Sequence, residues 1–115
     1  MGKRTGSSPP ETVYVEPYTY EVVQDANWSA QTGNMGNCMN DMQRIIIDSS
    51  LTPQSERDTV LHELLHAIWG QTSLQKRDTE DQQEEAIWQL TPRILALLKD
   101  NPRLVEYLLG DGAWG

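Results

Sequence analysis

The hydrophobic pattern changes period once, at Thr52-Pro53, and that switch limits the fold more than any other feature of the chain. Before it, "TVYVEPYTYEVV" (12–23) is rich in Val, Tyr and Thr and alternates in places. "QRIIIDSS" (43–50) is a short β-branched run followed by turn residues. Both read as strand regions, the first divided by Pro17. Residues 24–42, full of Asn, Gly, Asp and Ser, read as a long loop.

After the switch, apolar residues recur at helical spacing. Thr52 can cap a helix, Pro53 suits its first position, and Glu56 and Asp58 sit near the positive end of its dipole. Leu61, Leu64, Leu65 and Ile68 mark one face, and Gly70 can end the helix. Residues 71–83 form a polar connection. Residues 84–100 are helical again, with Ala86, Ile87, Leu90, Ile94, Leu97 and Leu98 on one side. Pro92 predicts a kink or break near Thr91. A short last helix follows Asn101-Pro102 within 101–112.

Strands first and helices after imply an α+β fold, with two or three helices on a short antiparallel sheet of two to four strands. Residues 1–11, rich in Gly, Ser and Pro, read as a flexible arm, leaving 12–112 as one domain.

The formal charge of −8 disfavours a non-specific nucleic-acid binder, which needs a basic surface to displace counterions. No apolar run approaches the roughly 18 residues of a membrane span, and the N-terminus lacks the apolar core of a secretory signal. These features point to a cytoplasmic protein, not one secreted by a signal peptide. Cys38, alone, cannot form an internal disulfide and reads as a reduced side chain near a turn.

The helix after Thr52 carries both histidines of the chain in "HELLH", residues 62–66. Two imidazoles four residues apart lie one helical turn apart and can bind one Zn²⁺. Glu63 sits beside the pair, where it can take a proton from a metal-bound water as general base. With two histidines and nine glutamates, chance produces this arrangement in about one such chain per thousand.

An open zinc site takes three protein ligands plus water, and there is no third histidine. The downstream candidates are Glu80, Asp81, Glu84 and Glu85. Projected on the second helix, Glu84 lies about a quarter turn from the apolar stripe, whereas Glu85 points almost opposite to it. Glu84 is therefore the favoured third ligand, with Glu85 and Glu80 left open. Trp69 and Trp88 could wall the site, but core packing is the preferred reading for both. Cys38 as a further ligand would instead describe a closed, structural site.

The segment "RIIIDSSLTPQSERDTVLHELLHAIWG" resembles the core of small phage and bacterial gluzincin-type metallopeptidases, the ImmA/IrrE-like and neighbouring SprT-like groups. "EEAIWQLTPRILALLKDNPRLVEYLLG" is similar to small metallopeptidases of tailed phages. The resemblance covers residues 43–109, and H-E-x-x-H is its specific part.

The resemblance implies a zincin-like domain holding one Zn²⁺, with His62, His66 and Glu84 as ligands and Glu63 as catalytic base. It implies hydrolysis of a protein or peptide substrate, and it implies that the strand around Ile45–Asp48 can pair with that substrate. The SprT-like third histidine is missing, and Glu85-Ala86 fits the Glu-Ala context of the ImmA/IrrE-like ligand. Oxyanion stabilisation falls to Tyr107 or a backbone N–H. The competing reading is a non-catalytic, zinc-stabilised structural or interaction protein, virion-associated, that could contact phage structural proteins.

Overall fold

The computed structural model describes residues 8–72 and 81–110, without the side chains of 81–84 and 87. The order of elements is β1 (Thr12–Val15), β2 (Tyr18–Gln24), α1 (Trp28–Thr32), β3 (Gly36–Met39), β4 (Arg44–Ile47), α2 (Pro53–Gly70), α3 (Asp81–Asp100) and α4 (Pro102–Leu109). The fold is α+β. The sheet runs β1-β2-β4-β3. Its outer pairs are antiparallel and the central β2–β4 pair is parallel, so the sheet is mixed. The parallel pairing arises because α1 and β3 lie between β2 and β4 in the chain. That crossover returns the chain in the same direction.

Two elements lie inside the stretch expected to be a loop. One is the five-residue α1; the other is β3, "GNCM", which has no β-branched residue. β3 is held by its ladder to β4, with Cys38 opposite Ile45, rather than by propensity. β4 therefore has a partner on each side, and the expected free edge around Ile45–Asp48 is instead β3. Residues 8–11 are placed too. Pro9 is buried and the Glu11 carbonyl accepts from Val22 N at 2.8 Å, so this end of the expected arm extends the β1–β2 pairing.

α2 begins as its sequence dictates. The Thr52 hydroxyl accepts from Ser55 N at 3.3 Å, Pro53 stands in the first turn, and the helix runs to Gly70. Its buried face is Val60, Leu64, Ala67 and Ile68, joined by Thr59 and Glu63. Leu65, expected on that face, is 40% exposed. The sheet's β3 and β4 cover one flank of α2 while α3 and α4 cover another, which turns the core side away from Leu65.

α3 is continuous through Pro92. Pro92 and Trp88 both lie on the exposed face, where water can take the Trp88 carbonyl that Pro92 leaves without a donor.

The core joins Val13, Val15, Tyr20, Ile45 and Ile47 of the sheet to Val60, Leu64 and Ile68 of α2 and to Leu97, Leu104 and Tyr107. Two polar residues of α2 fasten α4. The Tyr107 hydroxyl donates to Glu56 Oε1 at 3.0 Å, and Arg57 Nε donates to the Tyr107 carbonyl at 3.0 Å, placing a cation at the negative end of α4.

Asn101 ties α3 to the sheet. Its Oδ1 accepts from Tyr14 N at 2.9 Å, and its Nδ2 donates to the carbonyls of Tyr14 at 2.9 Å and Leu97 at 2.7 Å. Among the described residues, no helix is long and apolar enough to cross a membrane.

Candidate metal centre

α2 carries His62 and His66 on its exposed side and Glu63 on its buried side. The two rings meet edge to face, with centroids 4.8 Å apart and planes at 74°. Their Nε2 atoms are 3.2 Å apart. Two nitrogens bound to one tetrahedral zinc would be about 3.3 Å apart, given the usual zinc–imidazole bond length. The donor pair therefore fits a shared zinc ion. The same separation also suits one imidazole donating to the other.

Glu63 is 8% exposed and flanks the sheet at β3. Burial pushes its carboxyl above the usual carboxylate range, and charge on the two imidazoles acts the other way. The carboxylate makes no hydrogen bond among the described residues, which leaves it able to accept a proton. Glu63 lies where two halves of a groove meet between α2 and β3. One half, about 390 Å³, is lined by Cys38, Asn40, His66, Trp69 and Gly70. The other, about 230 Å³, is lined by Met35, Asp58, Thr59 and His62. Gly36 lines both halves. A Cβ on Gly36 would stand 2.8 Å from Thr59 Cγ2 and 3.2 Å from Glu63 Cγ, so glycine is what lets β3 lie this close to the helix.

The third ligand is not assembled by the described side chains. Among them, no group of three or more His, Cys, Asp or Glu stands ready to hold a metal. Glu84 falls in the first turn of α3, but its side chain lies outside the described residues, as does Glu80. Glu85 is half-buried and its Oε1 accepts from Gln89 Nε2 at 3.3 Å.

Cys38 shares the groove with Glu63 and His66. Burial, with the nearby Glu63 charge adding to it, pushes its thiol up to about 11, so the sulfur stays protonated at neutral pH. Tyr107 is 1% exposed with its hydroxyl on Glu56, so it is a core residue and no oxyanion donor. Trp69 lines the groove and Trp88 is 76% exposed, so neither is the core residue expected.

Sequence reasoning missed Asn40 and the residues behind it. The Tyr20 hydroxyl, on a fully buried side chain, donates to Asn40 Oδ1 at 2.5 Å and accepts from Gln71 Nε2 at 3.1 Å. The Cys38 thiol donates to the same Oδ1 at 3.6 Å. The available signal was Tyr20 itself, an inward tyrosine in a strand, whose hydroxyl needs a partner when buried. A larger cavity of about 610 Å³ lies between residues 8–12 and the α3–α4 junction, and no histidine or cysteine lines it.

No family model, no curated protein and no solved structure matches the chain, so the site stands on its own geometry.

Proposed function

We propose that the chain is a zinc-dependent peptidase of the gluzincin kind, acting on an extended segment of a protein. The observation that carries this reading is the convergence of the His62 and His66 Nε2 atoms at 3.2 Å, with the Glu63 carboxylate beside them in a groove. His62 and His66 would hold the ion, and Glu84 is the proposed third ligand. A bound zinc ion would supply Lewis acidity at the scissile carbonyl and the attacking water. Glu63 would accept the water's proton and return it to the leaving amine. Its raised pKa suits both roles. The free edge of β3 beside Glu63 supports a substrate bound as an added strand.

The test is elemental analysis of the purified chain beside His66→Ala, Glu84→Ala and Cys38→Ala, with an unfolded protein as substrate. Reduced, carbamidomethylated lysozyme labelled with fluorescein is a suitable one. About one zinc per chain, lost in His66→Ala and Glu84→Ala and kept in Cys38→Ala, is expected. Cleavage is expected to vanish in Glu63→Gln with zinc retained. No zinc after reconstitution would sink the reading.

The second reading is a non-catalytic, zinc-stabilised module. Cys38 in the same groove is the observation in its favour, and zinc that depends on Cys38 would select it.

A further inference from the structure

The groove half toward the C-terminal end of α2 contains a side-chain amide whose orientation is set from behind. Asn40 is exposed and lines this half with Glu63 and His66. Its Oδ1 is taken by donors on the protein side, the Tyr20 hydroxyl at 2.5 Å and the Cys38 thiol at 3.6 Å. Gln71 Nε2 donates to the Tyr20 oxygen at 3.1 Å, so the one hydroxyl proton is directed at Asn40. The Tyr20 hydroxyl keeps that proton, because burial raises its pKa.

The chain Gln71→Tyr20→Asn40 thus has one direction, and it makes Oδ1 the acceptor and Nδ2 the donor end of the amide. Nδ2 makes no hydrogen bond among the described residues. Space for it is made by Gly70, where a Cβ would lie 2.5 Å from Nδ2. A buried tyrosine, a glutamine and a glycine therefore all serve the placement of one donor on an exposed residue.

We propose that Asn40 anchors the substrate, its Nδ2 donating to a main-chain carbonyl of an extended peptide lying along β3, and that Tyr20 is its positioning residue. This rests on the peptidase reading and adds to it the half of the groove where the substrate backbone is held. A backbone carbonyl is the natural partner: the donor is neutral, stands just past the C-terminal end of β3, and faces a groove half in which no Lys or Arg lines the wall. The residue takes no part in proton transfer.

The experiment measures binding by fluorescence anisotropy and cleavage in parallel, on the full zinc-loaded chain. The probe is fluorescein-labelled, reduced and carbamidomethylated lysozyme. Binding is read in a Glu63→Gln background and cleavage in the chain with Glu63 intact. Asn40→Asp keeps the acceptor for Tyr20 and removes the donor. Asn40→Ala removes both, and Tyr20→Phe removes only the orientation.

Both Asn40 variants should weaken binding about tenfold and raise KM by a similar factor, with kcat changed much less and zinc content unchanged. Tyr20→Phe should fall between them and the parent. Binding by Asn40→Asp as tight as that of the parent would overturn the inference while leaving the peptidase reading intact, because it would reduce Asn40 to a partner for Tyr20. A parent that neither binds nor cleaves the probe would overturn both.

Discussion

Gly36→Ala tests the contact on which the groove depends. The added Cβ would sit 2.8 Å from Thr59 Cγ2, 3.0 Å from the Ile46 carbonyl and 3.2 Å from Glu63 Cγ. Carbon atoms prefer about 3.5–4.0 Å, so the first contact is short by about 0.7 Å or more. Thr59 has little freedom to yield, because its Oγ1 donates to the Ser55 carbonyl at 2.7 Å. Moving β3 the other way closes the distance to Ile46 on its partner strand.

Overpacking of this kind costs about 2 kcal/mol. Thr59→Ser removes the opposing methyl, keeps the hydroxyl bond and costs about 1 kcal/mol. If the two acted independently, the double variant would lose about 3 kcal/mol; with the clash relieved it should lose only about 1–2 kcal/mol. Urea melts at pH 7, followed by tryptophan fluorescence, read all four proteins of the cycle. Additivity within about 0.5 kcal/mol would refute the reasoning, as would a Gly36→Ala cost below that figure.

Other outcomes follow from the buried polar contacts. Tyr107→Phe takes a donor from the buried Glu56 carboxylate and should cost about 1–3 kcal/mol in the same melts; no loss would mean the hydroxyl is idle. Asn101→Ala removes three hydrogen bonds, two of them exposed, and should cost about 2 kcal/mol.

Asp48 accepts from Ser50 Oγ and from the backbone N–H groups of Ser50 and Ser29, which together hold its carboxyl far below the usual range. Its contribution is therefore complete above the unfolded pKa, about 4, and is lost as pH falls below that value. Asp48→Asn should be less stable than the parent at pH 7, with the gap narrowing in acid; a constant gap would contradict the assignment.

Glu63 has the opposite sign. Its raised folded pKa makes the metal-free protein lose stability as pH rises above about 4. Metal-free Glu63→Gln should escape that loss, which melts from pH 4 to 8 would detect.

α2 was the most legible part of the chain because its signals are local. Thr52 and Pro53 start it, Gly70 is its last residue with Gln71 as the cap, and the spacing of His62, Glu63 and His66 carries the proposed chemistry directly. Which side of α2 is buried was less legible. Leu65 and Val60 are both apolar, and only the positions of β3 and α4 decide that Val60 goes inside.

β3 was illegible for a sharper reason: "GNCM" has the composition of a turn, and non-local pairing to β4 makes it a strand. Gly36 and Gly70 look like loop or helix-end residues in sequence, yet the contacts that demand glycine come from Thr59 and Asn40, far along the chain. Asn40 was hidden for the same reason, since Tyr20 and Gln71 orient it from outside its own segment. The proposed third ligand needs the relation of α3 to α2, which no local period encodes.

The two margins of the sheet are unlike. At Tyr14 the outward N–H and carbonyl of β1 are both satisfied by the Asn101 amide, which imitates the next strand. At β3 no described residue takes that role. On the proposed reading the sheet is thus a monovalent template, in which a visiting strand has one berth, over Glu63, and edge-to-edge pairing of sheets at Tyr14 of β1 is blocked by the molecule's own side chain. Asn101→Ala would raise that valence to two, so the same substitution that loosens α3 should also make the protein self-associate.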